Sequence, residues 1–232
     1  MRRTIGFLID FFTEDYQAEI LKGICSQAEA YDYNLVAYCG GPLNSPEEHH
    51  RARNTVYDLV DENSVSGLIV LGTTIGNFVG VDTIREFYHR FLNLPMVSIG
   101  IETGINGIPS MLIDNSVGIR KVIEHFITDH GARRIAFIRG TQGNVEAEIR
   151  FNAYRDALKN PDIPLDMNLV CPGDFYIGSG KKAVRILLDE RKVAFDALIG
   201  SNDLMTLEAM RELNRRHIRI PHEIGIAGFD DI

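Results

Sequence analysis

The sequence predicts an α/β protein with two Rossmann-like lobes, each built on a parallel sheet. Short apolar runs rich in β-branched residues alternate with helix-length amphipathic stretches, which is typical of parallel strands covered by helices on both faces. The alternation is interrupted once, between 95–100 and 110–114, where only a glycine-rich loop separates two predicted strands. We therefore expect an N-terminal lobe of residues 1–113 and a C-terminal lobe of residues 114–232, with a ligand cleft between them.

Eight segments have the composition of buried strands. They are TIGFLI (4–9), NLVAYC (34–39), GLIVLG (67–72), PMVSIG (95–100), SMLID (110–114), RRIAFIRG (133–140), FDALIG (195–200) and EIGIAGFD (223–230). Two of the intervening stretches, 116–129 and 203–215, place their apolar residues on one face of a helix.

Composition narrows the class of protein. Apolar residues make up 45% and charged residues 24% of the chain, which is ordinary for a globular protein. The start, MRRTIGFLIDFFTED, resembles a signal peptide, but Asp10 and an acidic stretch follow the apolar run without a small-residue cleavage site. A buried first strand is the better interpretation, so we expect a cytoplasmic protein without a membrane segment.

Charge and cysteine content exclude two further classes. The net charge is −8, so the chain as a whole lacks the basic surface of a nucleic-acid-binding protein. Three cysteines at wide spacings form neither a disulfide framework nor a zinc motif.

No familiar catalytic or nucleotide-binding motif is present. The stretch GDFYIGSGKK (173–182) resembles a phosphate-binding loop, but neither register fits. Counted from Gly173, Ser179 stands where the loop needs lysine. Counted back from Gly180-Lys181, Phe175 stands at the first glycine and Lys182 replaces the Ser or Thr. The sequence also lacks G-x-S-x-G and H-E-x-x-H. We therefore expect no catalysis, no cofactor and no metal site.

Polar and aromatic residues follow the predicted strands at the edge where open α/β sheets bind ligands. These residues are Asp10 with Phe11, Thr73, Arg150, Phe175, Asn202 and Asp230. Each also has a structural explanation: Asn202 or Asp203 as a helix cap, Arg150 paired with Glu146 on its own helix, Asp230 in a turn, and Phe175 in the core. Taken together, they predict a ligand cleft.

Several motifs carry a resemblance to a known family. GARRIAFIRG, EAEIRFNAYRDAL, SND before a helix and the ending IP…I…GFDDI resemble the effector-binding core of the lactose/galactose repressor family. That core has the fold of the periplasmic sugar-binding proteins (type I), in which two lobes close on a sugar or similar small molecule.

The resemblance implies roles for individual residues. Arg150 would hold ligand hydroxyls or a carboxylate, and Phe175 would stack on a ring face. As a charge in a cleft, Arg150 is expected to be solvated when no ligand is bound. Asn202 and Asp230 would bind the ligand from the C-terminal lobe, and Asp10, Phe11 and Tyr16 would line the N-terminal lobe. It also implies a homodimer, to which helices around 15–30 and 46–63 would contribute.

The sequence departs from the family pattern in three places. No helix-turn-helix headpiece precedes the first strand, so we expect no DNA contact from this chain itself. The family's fold continues beyond FDDI, so we expect that the C-terminal part of the fold is missing here. Gly100 stands where many members have a ligand-contacting aspartate, which leaves the ligand class open.

A sensor core that begins at the first strand also resembles bacterial signalling proteins in which the sensor precedes a kinase or cyclase output module. We therefore expect a ligand sensor, either of a transcriptional regulator or of a fused receptor, that acts by lobe closure. A transport-type sugar-binding protein of the same fold is the first alternative, and a small α/β enzyme is the second.

Overall fold

The computed structural model describes residues 2–159 and 162–232. They fall into two compact units. The first unit runs through Ile113 and also includes Gly143–Val145, and the second unit comprises Asp114–Gln142 and Glu146–Ile232.

The first unit contains a five-stranded parallel sheet in the order β2-β1-β3-β4-β5. Its strands are β1 (Thr4–Ile9), β2 (Asn34–Cys39), β3 (Gly67–Leu71), β4 (Met96–Ile99) and β5 (Ser110–Met111). Its helices are α1 (Asp15–Ala30), α2 (Glu48–Ala52) with a following 3-10 segment (Arg53–Leu59), α3 (Gly72–Ile75) and α4 (Val81–His89).

Alternation along β1 gives this sheet two apolar faces. Phe7 and Ile9 belong to one buried cluster, while Leu8 packs in another cluster with Tyr88 of α4. Period-two alternation explains the division, because successive strand side chains point to opposite faces.

The second unit contains a four-stranded parallel sheet in the order β7-β6-β8-β9. Its strands are β6 (Ile135–Ile138), β7 (Val170–Cys171), β8 (Ala197–Gly200) and β9 (Gly225–Ala227). Its helices are α5 (Asn115–Thr128), α6 (Val145–Lys159), α7 (Ser179–Arg185) with a following π-helical turn (Ile186–Glu190), and α8 (Asp203–Arg215), and a 3-10 turn (Met167–Leu169) precedes β7.

The predicted α/β class with two parallel sheets is confirmed. All eight predicted strands occur, although most are shorter than predicted, and β7 was missed because it has only two residues. The stretch 46–63 is not one helix. Its second half is the 3-10 segment Arg53–Leu59. There the Tyr57 hydroxyl donates to the carbonyl oxygens of Ile9 and Gly41, so this segment packs against the ends of β1 and β2.

Two helices of the second unit begin at capping side chains. Asp114 Oδ1 accepts the backbone N–H groups of Ser116 and Val117 at 3.0 and 3.1 Å. Asn202 Oδ1 accepts the N–H of Met205 at 3.1 Å. Each cap satisfies donors that a helix start otherwise leaves without partners.

Among the residues that the structure describes, no helix combines the length and the apolar character needed to cross a bilayer.

Two glycines of the 173–180 stretch, Gly173 and Gly180, serve packing. A Cβ atom on Gly173 would lie 2.0 Å from the carbonyl oxygen of Arg139, and one on Gly180 would lie 1.9 Å from that of Met205. Gly180 therefore allows the start of α7 to approach α8 closely, while the neighbouring Lys181 and Lys182 are exposed.

We predict that Gly180→Ala destabilises the protein by about 1–3 kcal/mol, because the added methyl group overlaps the α8 backbone. Gly23→Ala is the matched control, since α1 leaves the space around Gly23 open. The control should gain about 0.5–1 kcal/mol from its better helix propensity. Urea denaturation measures both changes, and equal effects would contradict the packing argument.

Candidate ligand-binding site

Both sheets have the strand order at which open α/β folds bind ligands. In the first sheet β1 lies between β2 and β3, so the order reverses beside β1, and in the second sheet the order reverses beside β6. Ligands of such sheets bind outside the carboxyl ends of the strands at this reversal. Asp10 follows β1, and Asn202 follows β8, the neighbour of β6.

Asp10 is fully buried at the end of β1. Gln17 of α1 lies with its Nε2 atom 3.4 Å from both carboxylate oxygens. Burial raises the pKa of Asp10, although hydrogen bonds from Thr74 and from Gln17 oppose the shift. Thr73 is buried nearby in α3, and its carbonyl oxygen lies 3.4 Å from Asn144 Nδ2.

Phe11 contacts a residue that the sequence did not single out as a ligand contact. Its ring centroid lies 4.7 Å from that of His50, and His50 Nδ1 lies 3.1 Å from the hydroxyl of Ser45. Desolvation and the neighbouring His49 lower the pKa of His50, so the ring in contact with Phe11 is a neutral imidazole at neutral pH.

Tyr16 has a different environment. It packs with the cluster formed by Phe7, Ile9 and Leu71, between α1 and the sheet. In this structure its ring therefore contributes to helix–sheet packing, and its contact with a ligand stays a prediction.

Arg150 lies at the centre of the polar cluster in the second unit. Only 4% of the residue is exposed. Its Nε donates to Asn115 Oδ1 at 2.7 Å, and its Nη1 donates to the carbonyl oxygen of Ser201. Glu146 and Asp230 lie at 3.8 and 3.9 Å from the guanidinium, so two carboxylates offset the buried charge.

Aromatic rings complete the surroundings of the guanidinium. The Arg150 Cζ atom lies 3.9 Å from the ring centroid of Phe229 and 5.7 Å from that of Phe175. Both distances are within the range of cation–π attraction. Phe175 in turn rests on Gly140, where a Cβ atom would lie 2.1 Å from the ring.

Asn202 connects Phe175 to the start of α8. Its Nδ2 donates to the carbonyl oxygen of Phe175 at 3.0 Å, while its Oδ1 caps the helix. The Phe175 backbone has a φ of +72°, which a bulky residue rarely adopts. The amide of Asn202 therefore helps to hold Phe175 in a strained conformation of the kind that clusters at functional sites.

Asp230 also has a strained backbone, with a φ of +123°. Burial is the main cause that raises the pKa of its carboxyl to about 7, and the nearby Asp203 acts in the same direction, whereas Arg150 opposes the shift. At neutral pH this group is therefore divided between the protonated and ionised forms, and it can donate or accept a hydrogen bond.

Comparison with known proteins finds relatives of this chain among sugar-operon repressors. The family described as "Periplasmic binding protein-like domain" matches residues 123–232. The ribose operon repressor of Halalkalibacterium halodurans is 28% identical over 228 residues, which cover 98% of this chain and 62% of the repressor. The chain is a relative of the LacI-family regulators.

Solved structures agree with this assignment. The transcriptional regulator CelR, solved in complex with cellobiose, is 28% identical with a TM-score of 0.80, and the match covers 99% of this chain and 68% of CelR. The lac repressor dimer bound to operator and the anti-inducer ONPF has a TM-score of 0.78 at 22% identity, covering 100% of this chain and 76% of that chain. The second likeness concerns the fold.

The structure brings the four predicted residues of the second unit together, namely Arg150, Phe175, Asn202 and Asp230. Sequence reasoning missed Asn115, Ser201 and Phe229 as partners of Arg150, and it offered Glu146 only as a surface partner. The i, i+4 spacing of Glu146 and Arg150 was the one available signal. The expectation that Arg150 is solvated in an open cleft is wrong, because its neighbours bury it.

We predict that Arg150→Ala lowers the free energy of unfolding by about 3–5 kcal/mol, because it leaves Glu146 and Asp230 without their buried positive partner. Arg155→Ala is the control on the same helix. Its side chain is 42% exposed, so the change should stay within about 0.5 kcal/mol. Comparable losses in urea denaturation of the two variants would contradict the buried network.

The raised pKa of Asp230 predicts a pH-dependent loss of stability. The ordinary aspartate pKa is about 3.9, and the folded value is about 7. As pH rises between the two values, the unfolded chain ionises while the folded chain stays protonated, so the folded state becomes less stable. Above about 7 the loss is complete.

Relative to Asp230→Asn, which does not titrate, the wild type should therefore lose stability progressively from about pH 4 to about pH 7. Urea denaturation of both proteins across this range measures the difference. A difference that is constant with pH would show that Asp230 keeps an ordinary pKa in the folded protein.

Proposed function

We propose that the chain is the effector-binding module of a bacterial regulator and that its effector is a sugar or a sugar-like small molecule. The observation that carries the proposal is the Arg150 guanidinium, flanked by the rings of Phe229 and Phe175 and by the Asp230 carboxyl. Such a combination of an aromatic surface with a few fixed polar groups is characteristic of small-molecule sites.

The chemistry of these groups suits a polyhydroxylated ring. Arg150 Nη2 lies 3.8 Å from Glu146, which is longer than a hydrogen bond, so this edge of the guanidinium can still donate to a ligand oxygen. Asp230, with a pKa of about 7, can accept from or donate to a hydroxyl. The ring of Phe175 offers an apolar surface to the carbon face of a sugar.

Relatives support the ligand class. One is named for the ribose operon, and another was solved with cellobiose. The named relatives are regulators and not enzymes, so we propose sensing without catalysis. We further propose that Asp10, Phe11, Tyr16 and Thr73 contact the ligand from the first unit.

We propose that ligand binding favours a closed arrangement of the two units and that a dimer partner or a fused domain responds to this shift. The chain spans 62% of the length of the ribose repressor it matches, so operator binding or another output belongs to the proposal for the full-length protein.

The repressor relatives also support action in the cytoplasm. The lac repressor structure is a dimer, which supports a homodimer here, and sedimentation analysis tests this.

Isothermal titration calorimetry with D-ribose and cellobiose, preceded by a thermal-shift screen of other pentoses, hexoses and nucleosides, tests the ligand class. A ligand that binds the folded state should raise Tm, and the stabilisation should grow with the logarithm of ligand concentration once that concentration exceeds Kd. Failure of every sugar and nucleoside to bind would contradict the proposal.

Phe175→Leu tests the site itself. We predict that loss of the aromatic surface weakens binding at least about tenfold, equivalent to about 1.4 kcal/mol. Phe12→Leu is the matched control, because Phe12 is 48% exposed and is outside the predicted set. Unchanged affinity in Phe175→Leu, or an equal loss in the control, would exclude Phe175 from the site.

A further inference from the structure

A second cluster of titratable side chains lies at the end of α5. It consists of His125, Asp129 and His130, and we call it the histidine cluster. The Nε2 atoms of the two histidines lie 3.0 Å apart, and their ring centroids are 4.7 Å apart with nearly perpendicular planes. All three residues are exposed, and neither the predicted fold nor the candidate ligand site makes use of them.

Asp129 determines which ring nitrogen of His125 faces His130. Its Oδ2 lies 2.6 Å from His125 Nδ1, and its Oδ1 accepts from the hydroxyl of Thr128 at 3.1 Å. A carboxylate at Nδ1 keeps the proton on that atom and leaves the Nε2 lone pair available.

This arrangement matches a metal-binding histidine, whose second nitrogen commonly donates to a carboxylate. The helix terminus adds a favourable field. His125 lies in the last turn of α5, where the carbonyl ends carry partial negative charge and stabilise a cation.

The distance between the two nitrogen atoms is compatible with one bridging metal ion. With metal–nitrogen bonds of about 2.05 Å, two ligands at a right angle are about 2.9 Å apart, and two at the tetrahedral angle are about 3.35 Å apart. The observed 3.0 Å lies within this range. Imidazole nitrogen binds Zn²⁺, Cu²⁺ and Ni²⁺, and Cu²⁺ has the highest affinity for a given site among these ions.

We propose that His125 and His130 bind a divalent transition-metal ion, with Cu²⁺ bound most tightly, and that Asp129 positions His125 for this role. Among the described residues, no group of three or more His, Cys, Asp or Glu is arranged to hold a metal. The two imidazoles therefore supply the protein ligands and water completes the coordination, so the ion is exchangeable.

Titration of the purified protein with CuCl₂, followed by calorimetry and by electron paramagnetic resonance, tests the proposal. The wild type should bind one Cu²⁺ ion with hyperfine splitting from two nitrogen ligands. His125→Ala and His130→Ala should each abolish the two-nitrogen signal. The control His89→Ala removes a histidine that also lies in the last turn of a helix, and it should leave the signal unchanged.

Asp129 is tested separately as a positioning residue. Asp129→Ala should weaken Cu²⁺ binding about 10- to 100-fold, and Asp129→Asn, which keeps an acceptor oxygen, should restore part of the affinity. Affinity equal to the wild type in Asp129→Ala would remove Asp129 from the proposal.

Two results would overturn the site itself. The wild type could bind no Cu²⁺ with two nitrogen ligands, in which case the two imidazoles only hydrogen-bond to each other. Alternatively, the two-nitrogen signal could persist in His125→Ala, which would assign it to other histidines such as the adjacent His49 and His50. Both histidines of the proposed site are exposed, so circular dichroism should show that each variant retains its fold.

Discussion

The candidate site of the second unit depends on one constraint: the buried positive charge of the Arg150 guanidinium has to be compensated by nearby polar groups. Moving an isolated charge out of water costs several kcal/mol even after relaxation, and Arg150 is 4% exposed. Its partners come from the start of α5, from α6, from the end of β8 and from the loop after β9. The groups that compensate the Arg150 charge therefore bring four segments into contact that are distant in sequence.

Direct contacts between SND and GFDDI hold these two short motifs together. In SND, Asn202 caps α8 and donates to the carbonyl oxygen of Phe175. The next residue, Asp203, accepts the backbone N–H of Ile232 at its carboxylate at 3.0 Å. The backbone N–H of Asp203 donates to the carbonyl oxygen of Phe229. A Cβ atom on Gly228 would lie 1.9 Å from Asp203 Oδ1. The GFDDI segment thus needs glycine at its first position in order to approach Asp203.

Sequence patterns predicted the fold well because strand period and helix period depend on local chemistry. The apolar runs that became β1, β3 and β8 are bounded by glycine or by polar residues. By contrast, β7 has two residues and no pattern that could reveal it. The assignment of Gly143–Val145 to the first unit was equally invisible, because it depends on contacts distant in sequence.

The site was predictable in part for the same reason. Residues that follow parallel strands reach one edge of a sheet, and this rule selected Asn202 and Asp230, whereas Phe175 follows the missed strand β7 and its role came from the family resemblance. It could not reveal how deeply Arg150 is buried, since burial depends on Phe229 and Asn115, which come from other elements. Nor could it reveal the contact of Phe11 with His50, which links the end of β1 to α2.

The pKa directions separate two kinds of aspartate in this protein. Hydrogen bonds from Ser116 and Val117 lower the pKa of Asp114, which caps a helix and stabilises the fold in its ionised form. Burial raises the pKa of Asp10 and of Asp230, so ionisation of either carboxyl opposes folding. Acids with a pKa raised by burial beside a specific charge are candidates for functional sites. Asp10 and Asp230 both follow strands at the carboxyl edge of their own sheet, so in each unit a buried carboxyl reduces stability at the edge where open α/β sheets bind ligands.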